Sequence, residues 1–158
     1  MKDNYNIKKI LITGGSGMVG RNFFENEKSK NYDIMAPTRR ELNLLDFEKV
    51  DLFISKKKPD LIIHAAGKVG GIQANIRDPL IFLQENADMG RNIVLAARKQ
   101  NIKKLINLSS SCVYPKNLNV SLEEDFILTG PLEPTNEGYA IAKIFVQKLC
   151  TYINKENL

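Results

Sequence analysis

A doubly wound, parallel α/β sheet is the fold this sequence predicts, and three observations predict it. Short, continuously apolar runs alternate with longer amphipathic stretches, the pattern of strands joined by crossover helices. One such run, Ile10 to Ile12, is followed at once by glycines at Gly14, Gly17 and Gly20. The loops that leave the strands at their carboxyl ends carry glycines, arginines and serines, and that edge of an open α/β sheet is where ligands bind.

Taken in order, the first strand covers roughly Lys8 to Thr13 and the first helix Met18 to about Lys30. Asn31 and Asp33 bracket the turn into a second strand, Tyr32 to Ala36, which Pro37 ends. Thr38-Arg39-Arg40-Glu41 forms its exit loop, and Asp46 is placed to cap a helix over Phe47 to Lys57. Pro59-Asp60 breaks that helix ahead of Leu61 to His64, a third strand apolar enough to be buried on both faces. Ala65 to Gly71 reads as a small-residue loop. A long helix then runs from about Asp78 or Pro79 to Gln100, and Lys104 to Leu108 is the fourth strand. Ser109 to Pro115 leaves that strand, Lys116 to Glu137 is mostly loop, and a last helix covers about Gly138 to Asn154.

At 158 residues and 43% apolar content, the chain reads as one globular domain with a core of its own. No apolar run approaches the ~20 residues of a membrane span. Met1 to Asn6 lacks an apolar signal region, so the sequence reading takes the cytoplasm as the compartment. Two cysteines, Cys112 and Cys150, make neither a disulfide framework nor a metal cluster. The net charge of +5 is scattered in short clusters at element ends, such as Lys56 to Lys58 and Lys103-Lys104. None is interleaved with aromatics, so solvated ends are read there rather than a nucleic-acid surface.

The glycine stretch makes the fold Rossmann-like. A strand, a tight turn and a helix N-terminus form a cradle for a diphosphate, with backbone N–H groups and the helix dipole favouring negative charge. The pattern reads in two frames, Gly14/Gly17/Gly20 or Gly15/Gly17/Gly20, and Met18 and Val19 open the helix within it. After the second strand, an acid suits the ribose 2′-hydroxyl of NAD, whereas an arginine suits the 2′-phosphate of NADP. Arg39 is the first choice for that contact and Arg40 the second.

Tyr139 and Lys143 stand one helical turn apart on one face. A phenol titrates near pH ~10, and a neighbouring cation favours the phenolate, which eases proton exchange near neutral pH. Carbonyl reduction needs such a group, because a hydride reaches carbon while a proton reaches oxygen. Tyr5 and Lys9 show the same spacing ahead of the first strand, so the spacing alone carries nothing. The serines leaving the fourth strand add to it, since Ser110 is able to hold a substrate oxygen beside the phenol.

A glycine turn after the first strand, serines after the fourth, then Tyr139 and Lys143 resemble the extended short-chain dehydrogenase/reductase family. Within it, Arg39 to Asp46, Lys68-Val69-Gly70-Gly71-Ile72, Ser110 to Lys116 and Leu132 to Ile144 are similar to the GDP-L-fucose synthases. The likeness covers nearly the whole chain. It implies an epimerase/reductase that converts GDP-4-keto-6-deoxy-D-mannose to GDP-L-fucose with NADP(H). Ser110, Tyr139 and Lys143 become its catalytic triad. By the same resemblance, Cys112 moves protons during epimerisation, although a cysteine is more often a small buried hydrophobe. Gly14, Gly17, Met18, Val19, Gly20, Arg39, Asp46, Ala65, Ala66 and Lys143 face the cofactor. His64 lies near the cofactor or is structural, and Asn86 bonds backbone or water rather than reacting.

The resemblance also implies enzymes about twice this length. A second proton-transfer histidine and the substrate domain that grips GDP would then fall beyond Leu158, leaving residues 1–158 as an NADP-binding domain incomplete at its C-terminal side. A homodimer is expected, because Ile141, Ile144, Phe145, Val146, Leu149 and Ile153 surround most of the last helix. Two other readings stay open: a nucleotide-binding fragment without turnover, and a related nucleotide-sugar epimerase or dehydratase.

Overall fold

The computed structural model describes residues 6–156. The N-terminal segment read as lacking a signal region, Tyr5 included, lies outside the described residues except for Asn6. The chain divides into two compact units, residues 6–66 with 89–108, and residues 67–88 with 109–156.

The first unit holds four parallel strands, β1 (Lys9–Thr13), β2 (Asp33–Met35), β3 (Leu61–His64) and β4 (Lys104–Asn107), in the order β2-β1-β3-β4. Successive side chains of a strand point to opposite faces, and β1 shows what that does. Leu11 joins Ile62 on one face, under Val50 and Ile54 of α2 (Phe47–Lys57) and Ile93, Ala96 and Ala97 from the later part of α4 (Pro79–Lys99). Ile10 and Ile12 join Leu61 and Ile63 on the other face, with Phe23 of α1 (Met18–Glu25) against them. A sheet apolar on both sides has to be covered on both sides, hence the double winding. The chain visits β2 on one side of β1 and then crosses to β3 on the other. The carboxyl ends of β1 and β3 therefore flank the switch point where open sheets of this kind bind ligands.

Most boundaries agree with the sequence reading to within a residue or two, and two features differ. The first helix ends at Glu25, not near Lys30. Asn26 leaves the helical region, its side chain accepts from the Lys28 N–H, and a 3₁₀ turn over Glu27–Asn31 follows. Ser29 Oγ donates to the Phe24 carbonyl and so takes up a loose helix end. The second difference lies in the other unit, where Ile72–Arg77 forms a short helix, α3, that the small-residue reading of the loop overlooks.

The second unit contains α3, the first part of α4, 3₁₀ turns at Ser111–Val113, Glu124–Phe126 and Pro134–Asn136, and α5 (Glu137–Glu156). Its core gathers Val113, Leu132, Ala140 and Ile144, with Cys112, Tyr114 and Ile127 packed alongside.

Asp60 fastens the first unit at its amino edge. Its Oδ2 accepts the backbone N–H groups of Lys8 (2.9 Å) and Lys9 (2.8 Å), which holds its carboxyl below the usual value of 3.8. A depressed folded-state value means stability that is present above the unfolded value and lost as pH falls through the folded one. We expect Asp60→Ala to cost about 1 kcal/mol or less near neutrality, given the solvent exposure. Thermal melts should show the gap from the unsubstituted protein closing as pH drops below 3.8.

Candidate functional site

In the first unit, β1 delivers the chain into the turn Gly14–Gly17 at the carboxyl edge. Gly14 has φ +76°, and a Cβ there would sit 2.7 Å from the Ala66 N and Cα, so the turn presses directly on the backbone leaving β3. That backbone is held in turn. Thr13 Oγ1 shares a 2.7 Å hydrogen bond with His64 Nδ1 and accepts the Ala66 N–H at 3.3 Å. Thr13 and His64 are register partners and both are buried, so the single histidine ties β1 to β3. A Cβ on Gly20 would run into Gly15 Cα, which lets the first turn of α1 lie on the glycine turn itself.

Gly17 caps α1 without a side-chain bond, and the first helical bond runs from the Arg21 N–H to the Gly17 carbonyl. The N–H groups of Met18, Val19 and Gly20 precede it at an exposed helix start. A side-chain-free turn leading into uncapped N–H donors fits a dinucleotide diphosphate.

Past β2, Arg39 and Arg40 are exposed. Glu41 Oε2 accepts the Thr38 N–H (2.7 Å) and hydroxyl (2.9 Å), which ties this carboxylate to the start of the exit loop. Asp46 caps α2 as expected, its Oδ1 accepting the Lys49 N–H while Oδ2 pairs with Lys49 Nζ at 3.0 Å.

The second unit brings Ser110, Cys112, Tyr139 and Lys143 together. Ser110 stands within hydrogen-bonding reach of Tyr139 and lowers its pKa, and Cys112 lies close enough to act electrostatically on both Tyr139 and Lys143. Lys143 is buried, its Nζ 5.6 Å from the Tyr139 ring centroid. The direction expected for the phenol is corrected here. Burial pushes the Tyr139 hydroxyl above its ordinary value, Cys112 adds to the rise, and Ser110 only partly opposes it. The Lys143 Nζ stands over the Tyr139 ring, and burial itself pushes Lys143 down. Both groups are thereby moved toward their neutral forms.

The loop after β3 is fixed by Asn86, one turn of α4 beyond Phe82. Its Oδ1 accepts the Lys68 N–H at 2.8 Å, and its Nδ2 donates to the Lys68 carbonyl at 3.0 Å and the Phe82 carbonyl at 2.6 Å. Asn86 thus bonds backbone, as read from the sequence. What that reading missed is α3 and its Asn75, along with Asn136 just ahead of α5. The signal was present in Ile72 and Ile76, four apart, and in Asp78-Pro79 closing a segment of helical period.

A parallel sheet with a glycine cradle at its switch point in the first unit, and a serine–tyrosine–lysine cluster in the second, define a nucleotide-dependent oxidoreductase or epimerase class of fold. The chain belongs to the NAD dependent epimerase/dehydratase family, whose sequence model matches residues 10–158. It is 54% identical to the GDP-L-colitose synthase of Yersinia pseudotuberculosis over 149 residues, which is 94% of this chain and 48% of that protein. It is 50% identical to the GDP-L-fucose synthase of Azorhizobium caulinodans, over 94% of this chain and 47% of that protein. Among solved structures it is similar to a GDP-mannoheptose C4 reductase from Campylobacter jejuni with NADP bound, at a TM-score of 0.87 and 29% identity, covering 94% of this chain and 47% of that one. The chain therefore spans about half the length of the relatives it matches.

Proposed function

We propose that this chain is the cofactor-binding half of an NADPH-dependent enzyme that epimerises and reduces a GDP-4-keto-6-deoxy sugar, of the GDP-L-fucose synthase kind. The observation that carries the reading is the gathering of Ser110, Cys112 and Lys143 around Tyr139. NADPH, when bound, supplies the hydride that reduces the ketone carbon. Gly14, Gly17, Met18, Val19 and Gly20 hold its diphosphate, Arg39 its 2′-phosphate, and Asp46, Ala65 and Ala66 line its remaining length. Tyr139 Oη gives a proton to the ketone oxygen, which the Ser110 hydroxyl holds. A raised phenol pKa keeps that donor protonated, and Lys143 lies over its ring. Cys112 Sγ exchanges a proton at the carbon beside the ketone. The test is consumption of NADPH with the GDP-keto sugar and product detection by mass; NADPH binding without any turnover in the full enzyme would favour a nucleotide-binding module instead.

The 54% identity to a colitose synthase favours a second substrate in the same reading. Colitose lacks the 3-hydroxyl that fucose carries, so presenting both keto sugars separates the two.

Losing Arg39 removes a charge-assisted contact worth ~1.5–3 kcal/mol. Arg39→Ala should therefore weaken NADPH roughly ten- to a hundredfold and leave NADH unchanged. Equal affinities of the unsubstituted protein for both cofactors would remove the arginine from this role.

No helix among the described residues is long and apolar enough to cross a membrane, and we read the protein as cytoplasmic. A homodimer completes the proposal. Ile141, Phe145 and Tyr152 share one exposed stripe of α5, at 42%, 42% and 60% exposure, and a second copy would cover it. Light scattering should give a dimer at micromolar concentration that Phe145→Glu converts to monomer.

A further inference from the structure

Within the second unit a cavity of about 140 Å³ is lined by Val69, Gly70, Asn75, Phe82, Asn136 and Tyr139. Two of these residues carry an unusual burden. Asn75 is only 8% exposed, and its Nδ2 donates to the carbonyls of Gly70 (3.0 Å) and Gly71 (3.1 Å). Those two bonds settle which end of the amide is which, and they leave Oδ1 buried with no donor among the described residues. Asn136 Oδ1 is buried and undonated as well. An acceptor left unmatched in a protein interior costs ~1–3 kcal/mol, and two on residues that line one cavity mark a place where a partner belongs. Phe82 and Val69 give the same cavity an apolar side.

From this juxtaposition we infer that Asn75 and Asn136 form a hydroxyl-binding subsite beside Tyr139. Their two amide oxygens receive hydroxyl donors of the sugar while its C–H face lies on Phe82. The inference rests on the sugar-reductase reading and deepens it, because it names residues that sort substrates by their hydroxyls. A site built to bond a hydroxyl discriminates against an analogue lacking it, since the buried acceptor is then left unpaired. The alternative source of a donor, the carboxamide N–H of a nicotinamide, differs in what it would perturb.

The test uses the full enzyme, NADPH, the GDP-keto sugar and a set of its monodeoxy analogues. Asn136→Ala is the informative variant, because the Asn136 amide oxygen meets no donor among the described residues; Asn75→Ala also loses the Gly70 and Gly71 bonds. We expect Asn136→Ala to raise KM about five- to tenfold for the hydroxylated sugar, from a lost hydrogen bond of ~1–1.4 kcal/mol. The penalty should vanish for one monodeoxy analogue, with NADPH affinity and melting temperature unchanged. An equal penalty on every analogue, or none on any, would overturn the subsite and leave the cavity to water. A loss of NADPH affinity instead would assign the oxygens to the cofactor's carboxamide. Absence of turnover by the unsubstituted enzyme would fault the proposed function itself, a separate outcome.

Discussion

Tyr139→Phe should lower keto-sugar reduction in the full enzyme by ~10²-fold or more while NADPH still binds. The ring stays, so the packing of α5 and the Lys143 contact above the ring are kept; only the hydroxyl, within reach of Ser110, goes. The pH dependence adds a second check. Burial and Cys112 hold the phenol above its ordinary value, so its protonated form persists to higher pH than in a free tyrosine. Reduction should therefore decline only on the alkaline side. Steady-state rates across pH, with cofactor affinity measured alongside, decide the matter. Near-normal turnover in the phenylalanine variant would take Tyr139 out of the proton-donor role.

The second large effect is expected at Gly14. An alanine there must hold φ near +76° and place a Cβ 2.7 Å from the Ala66 backbone. The left-handed conformation costs ~1–2 kcal/mol and the overpacking ~1–3 more, against a total stability of roughly 5–15. Gly14→Ala should melt several degrees lower and lose more than tenfold in NADPH affinity, since the turn and the Ala65–Ala66 backbone move together. Gly71→Ala is the matched control: its φ is −66° and nothing lies within 4 Å of the added carbon. Equal behaviour of the two variants in calorimetry and cofactor titration would overturn the argument.

Legibility in the sequence followed burial. β1 and β3 read clearly because both faces of each are covered, which leaves unbroken apolar runs with nothing polar to confuse them. The α2 cap read clearly because Asp46 makes a local bond three residues on, and local bonds are written in sequence. α3 was hidden because it is six residues long and follows two glycines, so its period barely has room to repeat. The end of α1 was hidden because Asn26 sits in a polar stretch, Glu25 to Lys30, that reads equally well as the last turns of an exposed helix. The site was legible as residue types and not as energetics. Spacing brings Tyr139 and Lys143 to one face, but the ammonium's position over the ring, and the burial that outweighs it, are products of packing. Asn75 and Asn136 carry no sequence signature, since what sets them apart is the donor they lack.

The loop that follows β3 has no regular structure over residues 65–71, and such segments are usually the ones that must be ordered when a ligand arrives. Here Asn86 has already accepted the Lys68 amide and donated to the Lys68 carbonyl. The Lys68 main chain has its amide taken and has little freedom left to surrender. Whatever docks against this loop meets the Lys68 side chain on a wall whose ordering entropy was lost when the chain folded. Association at Lys68 is spared that cost.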